Sequence, residues 1–493
     1  MKREPDEEDA KPGSTALPQL CPYLDTVNRS ALDFDFEKAC CVTGNNFNVY
    51  ACLVCGRYYQ GRGRSTPAYL HSLQEDHHVV MNLHTGRIYS LPDGYEVIDA
   101  SLRDIRDMLN PTFTERMVAS LDREISFARG IDGGDYLPGA IGLNNIRGTD
   151  FVNVIVQCLV RIAPLRDFFL IPGNYASAHS PLVQQFGMLV RKIWSPYNFK
   201  GQVSPHELMQ AVTHASAKRF AIGKQSDALD FLSWLLNQLH ADLGGTARRG
   251  SSIIHRVFQG EVLIRHHARQ KKRRAPASAA DEYEGTAAAA AAAAAGANGG
   301  AADAAGADDT RDTWTVTETV SPFLFLTLDV PPMPLFRDAL DRNIIPQVPL
   351  TSCMAKFNGS SFQELMSGDR RQFSIQKWPP YLIVHIKRFS KNTQQLVEKN
   401  HTIVNCPIKN LDLAPFCTRP ADDAPADDER AKFDLVCSAQ HDGKPADGSY
   451  KAHVHFSAND TWYEMQDLHV QQIHPQLISV SESYIQVYRR RAD

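Results

Sequence analysis

The sequence predicts an α+β protein: a small cysteine- and histidine-rich unit followed by one large mixed domain. Three observations carry this. Cysteines and histidines cluster ahead of residue 80, including Cys52, Cys55, His71, His77 and His78. Beyond residue 137, DFVNVIVQCLVRI, PLVQQFGMLVRKIW and SDALDFLSWLLNQLHADL repeat apolar residues at helical spacing. Later runs (PFLFLTLDV, YLIVHIKRF, FDLVCSA, SYKAHVHF, SYIQVYRRR) are rich in β-branched and aromatic residues, as strands are. Helices grouped before strands, rather than alternating with them, point to α+β.

In chain order, residues 1–17 are polar and proline-containing and read as a disordered tail. Residues 18–117 hold the cysteine- and histidine-rich unit. Cys52 and Cys55 are separated by two residues; after fifteen more comes His71 and, after a further five, His77. Two thiolates and two imidazoles at such spacing suit one tetrahedral zinc ion. His78 competes with His77 for the fourth place. On one continuous helix His71 and His78 would share a face but lie about 10.5 Å apart along the axis, so the chain must leave the helix before the second histidine. Cys21, Cys40 and Cys41 have no matching histidines.

Residues 118–136 read as a helical connector (within TERMVASLDREISFARG), and 137–493 as the large domain. Within it, 267–312 is a low-complexity insertion holding the basic run Lys271–Arg274 and nine alanines, Ala287–Ala295. Strand-like VFQGEVLI before it and FLFLTLDV after it place the insertion between two strands.

The chain has 493 residues, enough for about three domain-sized units or one small and one large. Its formal net charge of −4 argues against non-specific coating of nucleic acid. No apolar run is long enough to span a membrane, and the charged start MKREPDEEDAKPGS has no apolar core. A nuclear or cytosolic location with reduced thiols is expected. The ten cysteines are then ligands, nucleophiles or core residues.

The first unit, through YACLVCGRYYQGRG and AYLHSLQEDHHVVMNLHTGRIYSL, resembles the UBP-type zinc finger of ubiquitin proteases. That resemblance implies that a free ubiquitin tail would be held by Arg57 and Tyr89, while the next aromatic position is Leu91. The large domain resembles the ubiquitin-specific proteases, which have a papain-like fold of thumb, palm and fingers. The blocks are GLNNIRGTDFVNVIVQCL, KQSDALDFLSWLL, PPYLIVHIKRF, HDGKPADGSYKAHVHF and TWYEMQDLHV, in the family's order. No paired Cys-x2-Cys follows VFQGEVLIRHHARQ, so the fingers are expected to lack their zinc, with His266 and His267 in solvent.

A cysteine protease needs a thiolate, a histidine base and a group that orients it. Asp150 stands at the nucleophile position, Gly148 at that of the oxyanion-stabilising asparagine, Ser449 at the histidine and Gln466 at the third member, with Asp467 beside it. Cys158 and His453 lie too far along their elements to substitute. Asp150 is also placed to cap the helix starting at Phe151. The resemblance is to the tri-snRNP-associated, inactive branch of the family. It implies a nuclear scaffold for tri-snRNP assembly or stability in pre-mRNA splicing, with spliceosomal snRNP proteins as partners and RNA contact indirect. The alternatives are a ubiquitin reader working through the finger and an active deubiquitinase.

Overall fold

A computed structural model of the chain describes residues 21–35, 37–269, 314–332, 345–391, 396–417, 431–445 and 447–491. The expected tail and nearly all of the expected insertion, Lys271–Arg274 included, lie outside these residues. Among the described residues, no helix is long and apolar enough to cross a membrane.

The finger is built on four antiparallel strands, β1 (Val49–Cys52), β2 (Tyr58–Gln60), β3 (Val79–Asn82) and β4 (Ile88–Ser90), ordered β2-β1-β3-β4. One face packs Tyr50, Cys52 and Val80 under helix α1 (Pro67–Gln74), where Ala68 reaches the sheet. Pro67 opens that helix, where its fixed φ suits the first turn and its missing N–H costs nothing. The other face buries Val49, Ala51 and Met81 against Leu32, Phe34 and Ile105, the last from α2 (Arg103–Leu109).

The connector departs from expectation. Only α3 (Glu115–Ser120) is helical; the chain then turns, and Ala128–Arg129 pairs with Asp135–Tyr136 as a short hairpin. Gly130, Gly133 and Gly134 end any helix there, Gly133 at φ +81°. Asp122 takes a separate role, accepting both terminal nitrogens of buried Arg166 at 2.8 Å.

The thumb comprises α4 (Asp150–Leu159), α5 (Ala163–Leu170), α6 (Pro181–Trp194), α7 (His206–Ala215), α8 (Ala228–Asp242) and α9 (Ile253–Phe258). In α6 the residues Leu182, Phe186, Leu189 and Ile193 recur at helical spacing and are buried, each stabilising by about 1.5–3 kcal/mol. Asp227 caps α8, its Oδ1 accepting the N–H groups of Leu229 and Asp230 at 2.8 and 3.1 Å.

The fingers are β5 (Gly260–Arg269), β6 (Trp314–Phe323), β8 (Gln363–Glu364) and β9 (Arg370–Lys377), in the antiparallel order β6-β5-β9-β8. Strand β5 runs through His267 to Arg269, so these residues are strand rather than part of the expected insertion. His266 lies 3.6 Å from Asp369 and His267 3.0 Å from the Gln372 side chain, both half-buried rather than free in solvent. The palm sheet joins β7 (Phe325–Asp329), β10 (Tyr381–Lys387), β11 (Lys432–Lys444), β12 (Asp447–Phe456), β13 (Thr461–Gln466), β14 (His469–Ile473) and β15 (Ser483–Arg490). Its order is β7-β10-β15-β11-β12-β13-β14. One core lies between this sheet and the thumb helices, and a second beneath the fingers.

Finger and thumb are joined by buried polar contacts. Lys192 on α6 donates to Asp35 Oδ1 at 2.8 Å and to the Phe34 carbonyl at 3.3 Å. The Ser204 N–H donates to Asp35 Oδ2 at 2.9 Å, and Phe199 completes the finger's own core.

Candidate metal centre and catalytic cleft

Cys52 ends β1, Cys55 sits in the turn that follows, His71 lies on the last turn of α1, and His77 comes after the helix has ended. The ligand atoms of these four all fall within 4.8 Å of one another. Cys55 Sγ is 3.5 Å from His71 Nε2, and His77 Nδ1 is 3.1 Å from the same nitrogen. Zn–S bonds of about 2.3 Å and Zn–N bonds of about 2.0 Å in a tetrahedron give separations of this size, so the donor set fits the ion. A hydrogen bond from the Cys52 thiol holds Cys55 down at about 4 and pushes Cys52 itself up.

His78 is turned out of this cluster. Its Nδ1 lies 2.7 Å from the Leu91 carbonyl, its Nε2 2.8 Å from Asp76, and its ring packs on Tyr23. Asp76, at φ +58°, reverses the chain between helix and strand, which is how His77 reaches inward. The glycine after Cys55 is required: at Gly56 (φ +75°) a Cβ would sit 2.0 Å from the Ala31 carbonyl oxygen.

Arg57 is exposed and Tyr89 half-buried. Cys52 pairs with Val80 and Val80 with Tyr89, while the Cys52 N–H donates to the Arg57 carbonyl. The two candidates therefore stand in one row, three strand spacings or about 14 Å apart. Leu91 is fully buried. Tyr89 carries a guanidinium over its ring, that of Arg62 at 4.5 Å. The sequence reading passed over Arg62, for which the arginines of GRGR were the available signal.

The cleft between thumb and palm brings Asp150, Ser449 and Gln466 together. Asp150 is the first residue of α4, and Thr149 holds the cap position, so the expected capping role is corrected. The cause is the preceding turn. Asn145 Oδ1 accepts the N–H groups of Gly148 and Thr149 at 2.9 Å each, with Gly148 at φ +82°, and the helix starts one residue early. The Asp150 side chain, 5% exposed, faces the palm instead. Its Oδ1 accepts from Gln225 Nε2 at 2.8 Å and its Oδ2 from the backbone N–H of Tyr450 at 2.9 Å.

Ser449, next to that N–H on β12, meets an amide donor: Gln466 Nε2 lies 3.4 Å from its hydroxyl oxygen. Asp467 holds the floor, accepting Asn145 Nδ2 at 2.9 Å and Asn153 Nδ2 at 2.8 Å. Cys158 and His453 are in the core. The Cys437 thiol approaches the Cys158 carbonyl at 3.8 Å, and His453 Nε2 lies 3.0 Å from Glu464.

The cleft contains one histidine that the sequence reading missed. His441 faces Tyr450 across β11 and β12, its ring edge-on to Tyr450 and Phe389. Burial, and then Lys399, lower its pKa and keep it neutral. It lines a cavity of about 340 Å³ with Gln225, Asp227, Phe389 and Tyr450.

Comparison with known proteins agrees with this geometry. The family described as ubiquitin carboxyl-terminal hydrolase matches residues 141–488, and the zinc finger of ubiquitin hydrolases and other proteins matches 40–102. "Ubiquitin carboxyl-terminal hydrolase 39" of Homo sapiens is 46% identical over 485 residues, 96% of this chain and 80% of that protein. "Probable mRNA-splicing protein ubp10" of Schizosaccharomyces pombe is 39% identical, covering 95% and 88%. "Pre-mRNA-splicing factor SAD1" of Saccharomyces cerevisiae is 26% identical, covering 95% and 93%. Among solved structures, one described as an essential yeast splicing factor shares the fold at TM-score 0.70 and 24% identity, covering 95% of this chain and all of that one. The chain thus belongs to the ubiquitin carboxyl-terminal hydrolase family, in a form that carries a ubiquitin-hydrolase zinc finger ahead of the protease-like domain and has relatives named as splicing factors.

Proposed function

We propose that this chain is a nuclear scaffold in pre-mRNA splicing, supporting assembly or stability of the tri-snRNP through snRNP proteins, and that its protease-like domain does not cleave ubiquitin. The observation that carries the second half is the state of Asp150. A carboxylate at the nucleophile position, with each oxygen already accepting an N–H, is an anchor rather than an attacking group. Ser449 offers no base, because its hydroxyl, 3.4 Å from Gln466 Nε2, does not take up a proton near neutral pH as an imidazole would. The thiol, the histidine and the oxyanion-stabilising asparagine are each replaced, and loss of the oxyanion donor alone would cost about 10²–10³ in rate.

Cys52, Cys55, His71 and His77 would hold one structural zinc ion, which links β1 to α1 and supplies folding energy rather than chemistry. The splicing role is supported by relatives that align along nearly the whole chain and are named for it. The alternative of tail capture by the finger would use Arg57 and Tyr89. The Arg62 guanidinium on Tyr89 and the burial of Leu91 weigh against it.

Two measurements test this reading. A ubiquitin probe with an electrophilic C-terminus should label neither the natural chain nor Asp150→Cys; labelling of the natural chain refutes the pseudoenzyme. Affinity purification from nuclear extract should recover spliceosomal proteins with small nuclear RNAs. Recovery of ubiquitin conjugates alone, lost in Arg57→Ala, would establish the reader instead.

A further inference from the structure

Where the finger meets the thumb, the surface opens into a groove of about 960 Å³ that lies outside both the metal centre and the cleft. Its finger side is formed by β1, the β3–β4 turn and α2, and its thumb side by α6 and the start of α7. The charges in it do not balance. Glu207 is matched by Lys38 at 3.0 Å and Asp107 by Arg103 at 3.5 Å. Two arginines that line the groove, Arg191 from α6 and Arg106 from α2, have no carboxylate within ion-pair distance among the described residues.

Arg191 is the more demanding of the two. It is 5% exposed, and its Nε has no hydrogen-bond partner. Its other nitrogens meet only neutral groups: the Tyr175 hydroxyl, Asn110 Oδ1 at 3.5 Å and the Met188 thioether at 3.7 Å. Arg106 is alike, with a buried, unpartnered Nε and a single 3.3 Å bond to the Val97 carbonyl. Both arginines line this groove, and Arg191 reaches Asn110, which follows Arg106 by one helical turn. A buried charge left uncompensated is costly, and a carboxylate is its natural complement because it accepts the guanidinium fork in two places.

We infer that this groove is a docking site for an extended acidic segment of a partner protein, an aspartate or glutamate of which enters to Arg191 and Arg106. Two features select a peptide over nucleic acid. The unpaired charge sits on the floor of the groove, within reach of a side-chain carboxylate but not of a phosphodiester backbone, which needs a row of surface cations. Among largely polar lining residues, Phe47 stands 76% exposed beside Met188, which suits one apolar neighbour of the acidic residue. The site does not depend on which particle the chain joins.

A phage-displayed library of random dodecapeptides, selected on the full chain, tests this. Selected clones should be enriched in Asp and Glu next to an aromatic or aliphatic residue. Their synthetic peptides should bind about ten- to a hundredfold more weakly to Arg106→Gln, the size of a lost charge-assisted hydrogen bond, and also more weakly to Phe47→Ala. Arg106 and Phe47 are chosen because neither is fully buried, and Arg191→Lys, which keeps the charge but loses the fork, should show an intermediate loss. Clones without acidic enrichment, or affinities unmoved by Arg106→Gln, overturn the inference. Displacement of the peptides by oligouridylate, itself weakened by Arg106→Gln, would assign the groove to nucleic acid instead.

Discussion

Replacing Asp150 by alanine should destabilise the large domain, the reverse of what removing an idle catalytic remnant would do. The carboxylate accepts one hydrogen bond from Gln225 and one from the Tyr450 backbone, at 2.8 and 2.9 Å. Bonds to a charged acceptor contribute about 1.5–3 kcal/mol each, and a buried N–H left without a partner costs about 1–3 kcal/mol. Against this, the substitution relieves the desolvation of a carboxylate that is 5% exposed. The net loss should be about 2–4 kcal/mol. Asp150→Asn should cost about 1 kcal/mol, since the asparagine oxygen can take the Tyr450 N–H while Gln225 turns its amide to accept from the new Nδ2. The assay is urea unfolding followed by tryptophan fluorescence. All five tryptophans (Trp194, Trp234, Trp314, Trp378 and Trp462) lie in the large domain, so the signal excludes the finger. A cycle with Gln225→Ala should give a coupling of about 1–2 kcal/mol. If Asp150→Ala lies within about 0.5 kcal/mol of the natural chain, the scatter of ordinary surface changes, or is more stable, the carboxylate is not the bridge described here.

Three further outcomes are expected. Metal analysis of the purified chain should find one zinc per chain, and chelation or Cys52→Ser should unfold the finger, read as loss of protease resistance across residues 21–109, while tryptophan fluorescence stays native. Lys192→Met should uncouple finger from thumb by leaving the part-buried Asp35 without its cation, at about 1.5–3 kcal/mol, visible as new proteolytic cutting around residues 121–135. His385, 6% exposed, is held down from the usual 6.5 to about 4, chiefly by burial. The unfolded chain therefore takes up a proton that the folded chain refuses between those values. Stability is complete above pH 6.5 and falls by about 2–4 kcal/mol on going down to pH 4, and His385→Phe should flatten that slope; an unchanged slope would place the acid sensitivity elsewhere.

The legibility of these features in the sequence followed their sequence separation. The clustering of Cys52, Cys55, His71 and His77 was readable because they lie within a few dozen residues, and chain geometry alone required the helix to end before the last of them. His77 won over His78 through the reversal at Asp76, which spacing does not encode. The thumb helices and palm strands were readable from their periodicity. The connector was misread because α3 stops at Ser120 and Asp122 serves Arg166, a partner 44 residues away. The role of Asp150 was half-visible: its place at the helix start was legible, but its partners are 75 and 300 residues distant. His441, Arg62 and the groove exist only once strands or domains are brought together.

The double anchorage of Asp150, with Asp467 fastening Asn145 and Asn153 beneath it, bears on what mutation can do to this protein. A return to proteolysis would need a thiol at 150, an imidazole at 449 and an amide donor at 148. The first of these steps removes a strut before any turnover could repay it. Position 148 adds a second obstacle, for a side chain there would meet both the positive φ of Gly148 and the Gln225 amide at 3.2 Å. Under the proposed function, the steps at 150 and 148 each lower stability with no activity at their end, so reversal is blocked at two positions.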